Sequence, residues 1–244
     1  MTSLAFSMPA EIVDPDVVAP PADLDSNEPP MESYVHLIQM LLLLESLELF
    51  WKERTDFFAA GNLTIYFSPR QLKSEHFRGP DFFVVLGTER RPRKSWVVWE
   101  EDGRYPNVIV EVLSDSTESI DRGLKKQTYQ DVFRTPDYFW FHPETLELSG
   151  FHLVDGQYEP LSPDASGRLW SAQLELFLGV EQGQLRFFTR EGALVPAGKE
   201  LAQRAESAEQ RAESAEQRAE SAEQRAARLA EKLRELGVDP DTLK

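Results

Sequence analysis

One charge interrupts the most apolar run of the chain. Asn107-Val-Ile-Val-Glu-Val-Leu113 is nearly unbroken and β-branched, as expected of a central strand covered on both faces. Glu111 lies late in that run, and a glutamate buried there is costly unless something pairs with it. A bound metal answers that cost, and so does an ion pair with Lys125 or Arg122, the commoner arrangement. A second carboxylate, Asp81, opens another apolar run directly after Gly79-Pro80. Neighbouring strands would bring Asp81 and Glu111 to one spot. Two hard carboxylates and a backbone carbonyl suffice for magnesium, which keeps several of its waters. Such a metal serves phosphodiester hydrolysis by polarising the phosphate and acidifying a water, helped by a nearby cation.

Other candidates carry less. Glu100 and Glu101 follow a strand-like run and read as the polar edge of a hairpin. His36, His76, His142 and His152 are scattered without ligand spacing such as HExxH and read as ordinary core or surface histidines, although His36, on the first helix, could face the site. GxSxG, Walker and GxGxxG motifs are missing, which argues against serine hydrolase, P-loop and dinucleotide chemistry. With no cysteines, disulfides, thiolate zinc sites and cysteine nucleophiles are excluded, and a reducing, cytoplasmic location is expected.

The net charge of -16 argues against a general DNA coat, which relies on Lys and Arg to neutralise phosphates. Residues 70–94 depart from this balance with seven bases against three acids, a net of +4. Arg90, Arg91, Arg93 and Lys94 are the cations there that would contact a nucleic-acid backbone, a solvated loop in an acidic protein fitting the charge equally well.

The elements that must position these groups follow from periodicity. Residues 1–30 hold six prolines and six acids and read as an acidic arm. Its first ten residues carry no Lys or Arg and no long apolar run, so no secretory leader is expected. A helix is expected from Met31 to about Arg54, apolar nearly all round and therefore largely buried. Val35 to Trp51 is too short and too charged to span a membrane. Leu63–Phe67, Phe82–Leu86, Trp96–Trp99 and Val108–Leu113 read as strands. Ser114-Asp-Ser-Thr117 suits a cap or turn, a helix follows over Ile120–Val132, and Tyr138–Phe141 is again a strand. Leu146–Leu153 and Leu185–Phe188 continue the strand pattern. The order implies an α/β or α+β mixed sheet with helices packed on it.

At the C-terminus, Gln203 to Glu223 is three perfect copies of QRAESAE. Leu201, Ala205, Ala208, Ala212, Ala215, Ala219, Ala222, Ala226, Leu229, Leu233 and Leu236 stay in a and d register, the pattern of a coiled coil. A helix over 199–237 is expected, stopped by Gly237, with self-association along it and a short tail over 238–244.

Four segments in series carry a resemblance. They are Pro80-Asp81; Pro106-Asn-Val-Ile-Val-Glu-Val-Leu-Ser-Asp-Ser-Thr117; Asp121-Arg-Gly-Leu-Lys-Lys-Gln-Thr-Tyr129; and Pro136-Asp-Tyr-Phe-Trp140 with Pro143. Together they resemble the Uma-two restriction endonuclease family over residues 31–192. The resemblance implies a PD-(D/E)xK nuclease-like fold and a magnesium- or manganese-dependent endonuclease acting on DNA. It makes Asp81 and Glu111 metal ligands, with the Val112 carbonyl as a third. Leu113 stands where the broader class keeps its lysine, and Lys125 on the following helix takes that role, with Asp121, Lys126 and Tyr129 around it. A nuclease-fold protein without activity, associating through its C-terminal helix, is the alternative.

Overall fold

The computed structural model describes residues 24–26, 33–68, 79–114 and 121–235, without the side chains of Asp121, Arg122 and Glu235. The greater part of the acidic arm, His76, the Asp115–Thr117 turn, the side-chain role expected of Asp121, and Leu236 with the stop and tail that follow lie outside those residues.

Eleven strands are described. Six of them, β1 (Phe57–Ala60), β3 (Phe82–Leu86), β5 (Val108–Val112), β6 (Asp137–Phe141), β7 (Leu148–Val154) and β8 (Gln157–Pro160), form one sheet in the order β1-β3-β5-β6-β7-β8. All its neighbours are antiparallel except β5 and β6. A parallel pair needs a crossover, and the helical segment α2 provides it, running from Asp121–Lys125 through Lys126–Thr128 to Tyr129–Phe133 with wide π-type turns at both ends. That crossover lays α2 on the sheet beside β5. A small parallel pair, β2 (Ile65–Tyr66) with β4 (Trp96–Val97), and an antiparallel sheet of β9 (Leu169–Ser171), β10 (Leu176–Glu181) and β11 (Gln184–Phe188) complete the layers.

The pleat sorts side chains between two cores. Phe82, Val84, Val108, Val110, Phe139 and Phe141 face α1 (Tyr34–Phe50) and the β9–β11 sheet. Phe83, Val85, Ile109, Leu113, Tyr138 and Trp140 face α2 and the β2–β4 pair. Each fully buried Leu or Phe here contributes on the order of 2 kcal/mol. Glu111, two residues from both Ile109 and Leu113, shares their face, so it faces α2. Both faces of β5 are covered, as its composition foretold.

Several expectations shorten or change. The helix expected from Met31 to Arg54 is seen over Tyr34–Phe50, and it is not largely buried: Tyr34, Val35, Leu41 and Phe50 are exposed. Its inner face instead carries polar His36, Gln39 and Ser46. Gln39 pairs with both backbone groups of Leu185 at 2.9 Å, extending the edge of β11. Trp96–Trp99 is a strand only through Val97; a 3-10 turn over Val98–Glu100 follows. β1, β8, β9 and β10 are not among the runs that read as strands, because short runs between turns give little periodicity.

The C-terminal helix α3 runs over Gly198–Glu235, about 57 Å at 1.5 Å per residue. Its first turn is fastened to β11 by Arg186, whose guanidinium bonds both Glu200 oxygens at 2.8 and 2.7 Å. No helix among the described residues is long and apolar enough to cross a membrane.

Candidate active site

Glu111 is the hub of the site. It is fully buried, and its Oε1 accepts the Tyr129 hydroxyl at 2.6 Å. Its Oε2 accepts the Lys125 ammonium at 3.1 Å and the Asp81 backbone N–H at 3.3 Å. Lys125 Nζ can be there because α2 packs its Lys125–Tyr129 side, one helical turn apart, onto the face that Glu111 points into. Burial pushes the Glu111 carboxyl up to about 7; Lys125 opposes that rise, the neighbouring Asp81 charge adds to it, and the Tyr129 and Lys125 hydrogen bonds again oppose it.

Asp81 stands just before β3, half-buried, and β3 pairs with β5 so that Phe82 lies opposite Val110. Its Oδ2 accepts the Val112 N–H at 2.7 Å. The same peptide is held from the other side, where His36 Nε2 donates to the Val112 carbonyl at 2.8 Å. A carbonyl can only accept, so the Nε2 proton is assigned and Nδ1 is left to accept from the Ser33 hydroxyl, 2.8 Å away. Ser33 is also the N-cap of α1, its oxygen accepting the His36 N–H at 3.3 Å. The cap therefore fixes the helix start and the imidazole together. Gly61 closes the floor: a Cβ there would lie 2.7 Å from the Asp81 carbonyl oxygen and 2.3 Å from Met40 Sδ.

The structure brings together Asp81, Glu111, Val112, Lys125 and Tyr129 as the sequence suggested, and adds His36 as a fixed neighbour. It takes Lys126 away. That ammonium lies 3.4 Å from the centre of the Phe151 ring, against β7, and burial lowers its pKa. Leu113 is buried among Ile109, Tyr129 and Trp140, so the strand lysine of the broader class has no counterpart there. Among the described residues no group of three or more His, Cys, Asp or Glu side chains is arranged to hold a metal. The oxygens that gather here belong to the Asp81 and Glu111 carboxylates and the Val112 carbonyl, hard donors of the kind that magnesium and manganese take.

The basic segment is rearranged relative to expectation. Arg93 is not a surface cation: its side chain is 3% exposed, it grips Glu101 at 2.6 and 2.9 Å, and it stacks over Phe58 and Trp96. Glu101, read as a hairpin edge, is the buried anchor of this network and also takes Arg91 at 2.7 Å. Arg90 is paired with Glu48 and lies over the Phe57 ring. Arg91 and Lys94 keep about half of their side-chain surface in solvent, at 47% and 55%. The remaining described histidines are structural. His142 Nδ1 accepts the N–H groups of Glu144 and Thr145 in a turn, and His152 pairs with Asp137 at 2.6 Å, joining β7 to β6.

The fold is thus a mixed sheet with a parallel crossover over a buried glutamate, flanked by an aspartate and a lysine. The family Uma2, described as "Putative restriction endonuclease", matches residues 27–186, and the chain belongs to that family. A Synechocystis protein described as "Uncharacterized protein slr1290" is 29% identical over 111 residues, which is 45% of this chain. The chain spans about half, 55%, of that relative's length. A solved structure described as a "putative nuclease belonging to DUF820" from Anabaena variabilis is 13% identical at a TM-score of 0.44, over 62% of this chain and 80% of that one.

Proposed function

We propose that this chain is a metal-dependent endonuclease hydrolysing DNA phosphodiester bonds at the Asp81–Glu111–Lys125 centre. The observation that supports it best is a lysine ammonium bonded to one fully buried glutamate, with the Asp81 charge near enough to raise that glutamate's pKa. Magnesium or manganese would be held by Asp81, Glu111 and the Val112 carbonyl, supplying a Lewis acid and a lowered water pKa. The chain's own residues have separate tasks. Tyr129 holds Oε1 of Glu111, leaving Oε2 toward Lys125 and Asp81. His36 fixes the direction of the Val112 carbonyl. Lys125 brings a positive charge to where charge builds on a phosphate, the role the broader class gives to its strand lysine. Arg91 and Lys94 are the cations of the basic segment proposed to touch the DNA backbone; Arg93 is spent inside the fold.

Supercoiled plasmid incubated with the purified chain and magnesium or manganese tests the proposal. Nicked and linear products that vanish with Glu111→Ala are expected. Plasmid left intact in both metals, or nicking undiminished in Glu111→Ala, refutes it. The displaced lysine, with Leu113 in its usual place, favours one second reading, a nuclease fold kept for binding alone. Calorimetry showing no heat of magnesium or manganese binding would support that reading instead.

A further inference from the structure

The repeat helix α3 is exposed at every residue from 201 to 229, including Leu201 and Leu229. A helix polar on all sides is normally steadied by ion pairs three or four residues apart. This one is not built that way. Around Arg211 and Arg218 those positions are Ser207, Ala208, Ser214, Ala215, Ser221 and Ala222. The glutamates fare worse: Glu209 with Glu213, and Glu216 with Glu220, are like charges four apart, each pair opposing the helix. Taken alone, the repeat gives Arg211 and Arg218 no acidic neighbour three or four residues away and sets its acids against each other.

The heptad supplies what a lone helix lacks. With Ala205 at a and Ala208 at d, the g positions are Arg204, Arg211 and Arg218, and the e positions are Glu209, Glu216 and Glu223. In two parallel helices in register, each g residue faces the e residue of the next heptad on the partner. That sets Arg204 against Glu209, Arg211 against Glu216 and Arg218 against Glu223, in both directions across the seam. An antiparallel pair would instead set arginine against arginine and glutamate against glutamate. Alanine at a and d also lets two backbones approach to the close end of the usual 8–10 Å range, which brings the charged rims within reach.

We propose that α3 docks a second copy of this chain as a parallel, in-register, two-stranded coil, specified by its Arg–Glu rims and closed at the far end by Leu229 and Leu233. This is independent of the nuclease reading, since it uses no residue of the Glu111 site.

The chain has no cysteine, so one introduced thiol is a clean reporter of orientation. Full-length protein at tens of micromolar should show twice the chain mass by light scattering. Ala208→Cys should oxidise to a covalent dimer, because d residues face each other in a parallel pair; in an antiparallel one they would lie roughly 30 Å apart. Arg211→Glu with Arg218→Glu should weaken association at least tenfold, and adding Glu216→Arg with Glu223→Arg should restore it. This pair of variants also controls for simple loss of helix. A monomeric or tripled mass, no Ala208→Cys cross-link in a dimer of doubled mass, or association indifferent to the charge reversal overturns the proposal.

Discussion

Replacing Glu111 with Gln keeps the shape of the side chain and its bond to Tyr129 while removing the charge. In the metal-free fold, burial raises the Glu111 carboxyl from its ordinary 4.5 to about 7. Between those values the folded chain binds a proton that the unfolded chain has lost. Stability therefore falls as pH rises through the window, and the penalty is complete above about pH 7. A shift of that size is worth about 3 kcal/mol, with Lys125's attraction already counted within it. Gln carries no such penalty. Glu111→Gln should therefore be more stable than the parent by about 3 kcal/mol near pH 8 in chelator, with the difference closing toward zero near pH 4.5. Urea unfolding of both proteins in EDTA, from pH 4.5 to 8.5, measures this directly. The same variant should lose metal binding and cleavage, a trade of activity against stability expected where a charge is buried for chemistry. A stability difference that stays flat with pH, or a variant less stable than the parent at pH 8, would refute the account of Glu111 as a strained buried carboxylate.

Metal binding should displace the Glu111 proton, so magnesium or manganese affinity, measured by calorimetry in buffers of different ionisation heat, should rise about tenfold per pH unit below pH 7 and level off above it. Tyr129→Phe removes the 2.6 Å bond to Glu111 and should cost about 1.5–3 kcal/mol at pH 8 but less at pH 5, where the carboxyl is neutral; equal losses at both pH values would count against it. His36→Ala leaves the buried Val112 carbonyl unpaired, costing about 1–3 kcal/mol in thermal unfolding and weakening metal affinity as well. Arg93→Ala strands buried Glu101 and should destabilise by about 3–5 kcal/mol, whereas Arg91→Ala, half-exposed, should change stability by less than about 1 kcal/mol and weaken DNA binding instead. Paired chemical-denaturation curves and a DNA titration at fixed salt separate those two arginines.

The odd glutamate was legible from the start, because an unbroken apolar run can tolerate a charge only at a cost, and that cost is visible in one dimension. The crossover helix, the strand on either side of it and the heptad repeat were legible for the same kind of reason: periodicity is local. Charge clustering misled at Arg93. A run of bases looks like a surface patch, yet Glu101, eight residues away in sequence, folds back through the turn after β4 and draws that guanidinium inside. Lys125 and Lys126 are neighbours of the same type, and only the family resemblance, not periodicity or charge, singled out Lys125. The turn of α2 does, sending one ammonium to Glu111 and the other onto Phe151.

The sequence by itself determined the cost at Glu111, the order of the elements and the charge pattern of α3, since each depends on residues a few positions apart. Only the tertiary structure decided the company Glu111 keeps. Asp81 reaches it across the β3–β5 pairing, Lys125 and Tyr129 reach it from the crossover, and His36 steadies the next peptide from a helix 76 residues upstream of Val112. Those contacts depend on which strands pair, in what register, and on which face α2 and α1 are laid. That is settled by burying two apolar faces of one sheet at once, a requirement no local stretch of sequence expresses.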